Sequence, residues 1–469
     1  MRANSGIVQD TIIALATPYG LGAIAVIRLS GDAAIELADT CFRARKKNKT
    51  LSSVASHTLH LGDIVDGDRI IDEVLVSIFK NPHSYTGENV VEISCHGSVY
   101  IQQEILQLFL KNGARHAEAG EFTLRAFLNG KMDLSQAEAV ADLIASDSQA
   151  SHDIALQQMR GGFSSEIEAL RAELLNFASL IELELDFSEE DVEFADRTEF
   201  QVLVSKISKV LKRLIDSFAL GNVLKSGIPV AIVGEPNVGK STLLNALLNE
   251  DRAIVSDIAG TTRDAIEDEI VLQGVTYRFI DTAGIRDTKD IVENIGIKKT
   301  FENIEKAQLV LHLIDGNLQT APDLSAWAEE EKKLQARYPG KKILTVINKA
   351  DKLTDQSIEA LTSTQQDWIL ISAKHKTGLE VLLQHLTQLV NAGALSNQQT
   401  VVSNSRHFEA LTKAYIALNE VQKGMDANLS SDLMAIDIRQ ALYHLGEITG
   451  VITTDDLLGN IFANFCIGK

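Results

Sequence analysis

Apolar residues change their spacing three times along this chain. Up to about residue 130, short buried-strand runs alternate with helical stretches. "GAIAVIRLSG" (Gly22–Gly31), "VLVSIF" (Val74–Phe79) and "NVVEISCHG" read as strands. "SVYIQQEILQLFLKNGA" reads as an amphipathic helix stopped at Asn112-Gly113. From about Ser135 the spacing becomes helical. Leu156, Met159, Phe163, Ile167, Leu170, Leu174, Phe177 and Ile181 form one long stripe, interrupted at Gly161-Gly162 by a bend or turn. Val204, Ile207, Leu211, Leu214 and Phe218 resume it as far as Gly221-Asn222. Residues 222–391 alternate strand and helix, the mark of a parallel sheet, and the helical period returns from Phe408 to the end.

This pattern predicts a multidomain α/β protein: an N-terminal α+β domain (1–130), a discontinuous helical domain (131–221 and 392–469), and an inserted α/β domain with a mostly parallel sheet (222–391). The helices before residue 220 are then expected to pack with those after 400. Composition supports globular domains, with 45% hydrophobic and 23% charged residues. The net charge of −20 disfavours binding nucleic acid through a broad basic surface. "ELELDFSEEDVEFADRTE" (Glu182–Glu199) holds nine acids and one base and reads as a solvated edge. Cys41, Cys95 and Cys466 lack CxxC spacing, which disfavours a zinc cluster or disulfide framework and fits a cytoplasmic location. No signal peptide or membrane span is expected.

The inserted domain carries the clearest chemistry. An apolar strand, Ile228–Val233, leads into "GEPNVGKS" and then a helix. This is a P-loop in its expected context. Its backbone N–H groups would cradle phosphates, Lys240 would reach the β/γ oxygens, and Ser241 would ligate Mg²⁺, so Asn237, Val238, Gly239, Lys240, Ser241 and Thr242 are nucleotide-binding candidates. "YRFIDTAG" supplies Asp281, Thr282, Ala283 and Gly284, with Asp281 an outer partner of Mg²⁺ and the Gly284 N–H facing the γ-phosphate. "ILTVINKAD" ends in Asn348, Lys349 and Asp351. The Asp351 carboxylate can accept both guanine N1–H and the exocyclic amine, a donor pair adenine lacks. Ser372, Ala373 and Lys374 end "WILISAK", where backbone can read guanine O6. Together these elements select GTP and resemble translation-factor-class GTPases.

Ile285 follows DTAG, where Ras-like enzymes carry a water-orienting Gln, so another group must place the water. "IVSDIAGTTRD" (Ile254–Asp264) is a switch candidate whose Thr262 would ligate Mg²⁺, and Asn237 could help ligate a monovalent cation.

Over essentially its full length the chain resembles the MnmE (TrmE) family of tRNA modification GTPases. The resemblance rests on domain order, on "GEFTLRAFLNGKMDLSQAEAV" (Gly120–Val140), "AGTTRD", "DTAGIR…VENIGI", and "TTDDLLGNIFANFCIGK". It implies a homodimer formed through an N-terminal domain that binds a tetrahydrofolate derivative (5-formyl or methylene). It implies a complex of heterotetramer type with the FAD enzyme MnmG. That complex adds an aminomethyl-type group to carbon 5 of the wobble uridine of certain tRNAs. It also implies hydrolysis stimulated by K⁺, held by Asn237, Ser256, Ile258 and Thr261. Ser256 departs from the Thr of relatives, but its expected ligand is a backbone carbonyl. Glu293 matches the acid that orients the attacking water. Arg28, Glu92, Lys131 and Lys469 match folate contacts, and Cys466 matches a thiol facing the chemistry, as nucleophile, acid/base or packing contact.

The tail "CIGK" does not fit prenylation, because Gly468 and Lys469 are neither the aliphatic nor the terminal residue that signal needs. A regulatory ribosome-assembly GTPase of the Era-like or Der-like kind is the alternative. It would call for an RNA-binding module after the G domain or a second G domain.

Overall fold

The computed structural model describes residues 10–45, 49–186, 197–249, 268–280, 302–317, 324–363, 367–391, 400–427, 429–463 and 465–468. It divides into two compact units. One comprises Met1–Ile144, Gln158–Ser205 and Ile416–Lys469; the other comprises Ala145–Gln157 and Lys206–Tyr415.

The first unit opens with β1 (Ile12–Leu15), β2 (Ile24–Ser30), α1 (Ala34–Cys41), β3 (Phe42–Ala44), β4 (Thr58–Asp66), β5 (Arg69–Phe79), β6 (Val90–His96), α2 (Val99–Lys111) and β7 (Arg115–His116). The strands form one sheet in the order β3-β4-β5-β6-β2-β1-β7, antiparallel except for β1 beside β7. Alternating strand residues such as Val76, Ile93 and Ile27 share a core with Ala34, Ala38, Ile105 and Phe109 of the helices. On β4 and β5, Leu61 and Leu75 are cross-strand partners that remain exposed.

Next come α3 (Glu121–Leu128), α4 (Leu134–Ala145), α5 (Gln149–Met159), α6 (Gly162–Asp186) and α7 (Arg197–Ser226). The stripe breaks where expected: Gly161 adopts φ +80° between α5 and α6. At Gly221-Asn222 the expectation is corrected, because α7 runs through to Ser226 and ends before Gly227 at φ +78°. Gly221 serves proximity rather than termination, since a Cβ there would collide with the Val402 carbonyl.

The α/β layer follows: β8 (Ile228–Val233), α8 (Lys240–Leu248), β9 (Asp268–Leu272), β10 (Val275–Phe279), β11 (Leu309–Asp315), α9 (Leu324–Arg337), β12 (Lys342–Asn348), α10 (Asp355–Thr362), β13 (Ile369–Leu370) and α11 (Leu379–Asn391). Its sheet runs β13-β12-β11-β8-β10-β9, parallel except for the edge strand β9. The chain closes with α12 (Ser405–Asp426), α13 (Ser431–Thr449) and α14 (Asp455–Phe462). Early and late helices do pack together. Phe218 stacks on Phe408 with ring centres 4.3 Å apart, and Arg439 of α13 pairs with Glu182 of α6 at 2.9 Å. Among the described residues no helix is long and apolar enough to cross a membrane.

The GEFTLRAF stretch has a structural explanation. Gly120 enters α3 at φ +66°. Arg125 of α3, only 5% exposed, donates to Asp10 Oδ1 (2.6 Å), Glu121 Oε1 (2.9 Å) and Glu88 Oε2 (3.2 Å). Arg115 adds bonds to Asp10 and Glu121. Burial alone would raise the Asp10 and Glu121 carboxyls, but hydrogen bonds from Arg115 and Arg125 outweigh it and hold both below their usual range. A buried cation with three carboxylates stabilises only while every member is paired.

Arg125→Ala is therefore expected to cost about 3 kcal/mol in a urea melt, because three half-buried carboxylates lose the cation they share and only Asp10 and Glu121 keep Arg115 as a partner. Depressed carboxyl pKa values give stability that is complete above the unfolded values of about 4 and is lost as pH falls below them. The wild-type midpoint should fall steeply below about pH 4, and Arg125→Ala should flatten that slope.

Candidate functional site: a nucleotide pocket and an N-terminal polar cluster

The carboxyl ends of β8, β12 and β13 converge on one loop cluster, the place where parallel sheets bind ligands. The loop after β8 turns through Gly234 (φ +147°), Asn237 (φ +65°) and Gly239 (φ +100°). A Cβ on Gly234 would strike the Leu313 carbonyl, and one on Gly239 would strike the Asn348 side-chain amide. Left-handed residues in a loop that leads into a helix N-terminus are the backbone setting in which N–H groups bind phosphate. Lys240 curls back over the loop, donating to the carbonyls of Gly234 (2.8 Å) and Glu235 (2.9 Å). Burial lowers the ammonium pKa, the response of a cation that an anion would stabilise. Ser241 is half-buried and Thr242 exposed on the first turn of α8, while Val238 is buried beneath the loop.

The residues expected to read the base form a second tier. Asn348 is 3% exposed and uses both ends of its amide: Nδ2 donates to the Val238 carbonyl (2.8 Å) and Oδ1 accepts from the Ala373 N–H (3.0 Å). Lys349, at φ +63°, donates to the Asn237 carbonyl (2.8 Å) and to Asp315 Oδ2 (2.6 Å). Ser372 donates its hydroxyl to Asp351 Oδ1, and that bond holds the Asp351 carboxyl below its usual range. Asp351 is thus kept ionised as a double acceptor, oriented from the strand whose end carries Ala373 and Lys374. The arrangement fits a guanine nucleotide. Asp315, not among the sequence candidates, anchors Lys349 from the end of an apolar parallel strand, "LVLHLID", where an acid is the one visible cue.

Ser256, Ile258, Thr261, Thr262, Asp281, Thr282, Ala283, Gly284, Glu293 and Lys469 lie outside the described residues.

Comparison with known proteins agrees over nearly the whole chain. A family model described as the GTP-binding protein TrmE N-terminus matches residues 11–131, and the MnmE helical domain model matches residues 134–466. The tRNA modification GTPase MnmE of Flavobacterium johnsoniae is 63% identical over 465 residues, covering 98% of this chain and 99% of its own. The chain belongs to the MnmE (TrmE) family. The MnmE of Christiangramia forsetii is also 63% identical, and that of Bacteroides fragilis 52%, each over 98% of this chain and 99% or 100% of its own. Among solved structures, the FeoB G domain from Methanococcus jannaschii aligns at 25% identity with 35% of this chain and 98% of its own, at a TM-score of 0.23. That last likeness is too low to carry weight.

The MnmE resemblance singled out N-terminal residues that the structure partly joins. Arg28 and Glu92 are direct cross-strand partners on β2 and β6, bonded at 2.8–2.9 Å, with both contacts on Glu92 Oε1. The Arg28 guanidinium lies over the rings of Tyr85 (5.3 Å) and Phe122 (5.7 Å), two residues not among the sequence candidates. Lys131 donates to the Pro82 carbonyl (3.0 Å) on the same β5–β6 loop that carries Tyr85. That loop is pinned by Tyr85 to Thr123 (2.9 Å) and by Asn129 to the Thr86 carbonyl (2.8 Å).

The tail of this MnmE-family chain folds onto the same unit. Ile467 forms an antiparallel bridge with Ala119, and the Gly120 N–H donates to the Cys466 carbonyl (3.4 Å). Gly468, at φ +95°, sits where a Cβ would collide with the Leu15 carbonyl at the end of β1. Cys466 is exposed, whereas Cys41 and Cys95 are buried. Burial, aided by Asp72, pushes the Cys95 thiol up to about 11, and burial also raises Cys41, so neither supplies thiolate near neutrality.

Asp315→Asn should weaken the hold on Lys349. With both partners partly exposed, the loss is about 1 kcal/mol, or roughly fivefold in affinity. GDP and GTP should suffer equally, because the base is common to both; titration of a fluorescent nucleotide checks this.

Proposed function

We propose that this chain is the GTP-hydrolysing subunit of a cytoplasmic tRNA-modifying complex. With an FAD-dependent partner of the MnmG kind, it adds an aminomethyl-type group to carbon 5 of the wobble uridine, using a tetrahydrofolate one-carbon unit. The observation that carries this reading is the tail, held against β1 and the entrance of α3 with its cysteine exposed. A ribosome-assembly GTPase acting through binding alone gives no reason to fold a terminal thiol onto an N-terminal sheet.

Family membership and the guanine-type pocket support the GTPase part. Asp351 would read the base, Lys349 would lie along it, and the loop from Asn237 to Thr242 would hold the phosphates. Mg²⁺ would be ligated by Ser241 and Thr262, and K⁺ by Asn237, Ser256, Ile258 and Thr261. Bound cations there would offset charge developing on the phosphates. Glu293 would orient the water. The pairing of Arg28 with Glu92 over two aromatic rings suits a flat heterocycle such as a pterin, whose amino-pyrimidine edge a carboxylate can accept. Lys131 and Lys469 would meet the ligand's carboxylates. Exposed Leu61 and Leu75, opposite each other on β4 and β5, support a homodimer in which a second copy covers this apolar face.

The deciding experiment replaces the only cellular copy with Cys466→Ser and measures tRNA nucleosides, with GTP hydrolysis assayed on the purified variant. Loss of the wobble modification with hydrolysis intact is the expected outcome. Normal modification would remove the thiol from the chemistry. Binding of reduced folate to the full chain should weaken at least tenfold in Arg28→Ala; unchanged binding would exclude this cluster as the folate site. Hydrolysis should also run faster in KCl than in NaCl at equal ionic strength, and equal rates would dismiss the K⁺ assignment.

A further inference from the structure

The segment between α4 and α5 has no part in the site described above, yet it is built into the GTPase core. Ala150 belongs to the same hydrophobic cluster as Val230, Leu243 and Tyr277, and Ile154 packs against that cluster. Ser148 and Ser151 cap each other's backbone: the Ser148 N–H donates to Ser151 Oγ (3.2 Å) and the Ser151 N–H to Ser148 Oγ (3.3 Å). Two further bonds tie the segment to the β9–β10 hairpin. The Ala150 N–H, an orphan donor in the first turn of α5, is accepted by the Gly274 carbonyl at 3.0 Å. The Thr276 hydroxyl, 2% exposed, donates to Asp147 Oδ1 at 3.1 Å.

The hairpin tip is Gln273-Gly274, with φ +49° and +80°, a tight two-residue turn. A Cβ on Gly274 would come within 3.0 Å of Gln149. The hairpin is a stiff lever. Its five paired rows, Val275 with Leu272 through Phe279 with Asp268, run without a bulge. Phe279 lies beside Val230 of β8, and Val275 lies two residues before Tyr277, which pairs with Ile228 at the start of β8. Its open end therefore lies on the P-loop side of the sheet and its tip about 15 Å away, at the Asp147–Ala150 contact. By sequence, the open end continues directly into the two stretches expected to meet the γ-phosphate and Mg²⁺, Ile254–Asp264 before β9 and Asp281–Gly284 after β10. Beside the tip is an open cleft of about 520 Å³ lined by Ser146, Gln149, His152, Val271 and Gln273.

We propose that the β9–β10 hairpin carries the nucleotide state to the segment Ser146–Ile154, with the Asp147–Thr276 and Ala150–Gly274 hydrogen bonds as the joint. The inference rests on the GTP cycle proposed above and adds its transmission element. Coupling between distant sites requires an element with two arrangements that both sites bias. Here those arrangements are the joint made and the joint broken. The segment is continuous in the chain with α4 on one side and, through α5, with α6 on the other. A change in its capping thus reaches the chain that carries the Gly120–Val140 motif.

The test is amide hydrogen exchange on the full-length chain with GDP and with a non-hydrolysable GTP analogue, both at saturation. In the wild type, exchange at Ala150 and Ser151 should differ at least fivefold between the two nucleotides. In Thr276→Val, and separately in the exposed-site variant Asp147→Ala, that difference should fall below twofold while GTP hydrolysis stays within twofold of wild type. Thr276→Ser, which keeps the hydroxyl, should restore the difference. Cells carrying Asp147→Ala should lose at least tenfold of the wobble modification. Equal exchange in the wild type with both nucleotides bound would overturn the proposal, as would a nucleotide difference that survives both variants. The exchange readout involves no tRNA or folate, so its failure is separate from failure of the modification reading.

Discussion

The two-ended amide of Asn348 is the interaction on which the nucleotide pocket depends. One end holds the P-loop through Val238 and the other holds the loop after β13 through Ala373, so three loops from three strands share one side chain. The amide is nearly fully buried, so each end must be satisfied. Its position explains Gly239: a side chain there would occupy the space of the Asn348 amide. Lys349 and Asp315 repeat the device one residue on, with a charged bond in place of a neutral one. The loops after β8, β12 and β13 therefore hold one another in register, and fixing such groups before a ligand arrives lowers the ordering cost of binding.

A different economy holds the N-terminal unit. There one buried guanidinium, Arg125, ties α3 to Asp10 ahead of β1 and to Glu88 in the β5–β6 loop. The same loop presents Tyr85 beneath Arg28 and accepts Lys131 at Pro82. The polar cluster at Arg28 and Glu92 thus rests on the rings of Tyr85 and Phe122, and the loop that carries Tyr85 is held in turn by the Arg125 charge network. Removing a member of that network should be felt at the surface cluster, because the loop carries both.

Much of this was legible in sequence because its cues are local. Strand periods, the P-loop spacing, the run ending in Asn348-Lys349-Ala350-Asp351 and the helix stop at Asn112-Gly113 each depend on a few adjacent residues. Readings failed where a residue answered to a distant partner. Gly221 looks like a helix stop, but its missing side chain makes way for Val402, and α7 continues to Ser226. Asp315 is unremarkable until folding brings Lys349 beside it. Nothing in the residues around Ala150 shows that its N–H is accepted by a turn more than a hundred residues later.

The tail belongs to the same class of long-range facts. A glycine at φ +95° beside a strand end and a single antiparallel bridge at Ile467 are small contacts, and together they fix the direction in which the chain finishes. Gly120 sits at the meeting point. Its left-handed conformation starts α3, its N–H binds the Cys466 carbonyl, and a Cβ on it would collide with Phe465 and the Phe462 carbonyl. The glycine that opens the GEFTLRAF helix therefore also makes room for the end of the chain. Any larger residue at 120 would strain the helix entry and displace the tail at once, so the N-terminal motif and the C-terminal cysteine are one structural feature seen from two ends of the sequence.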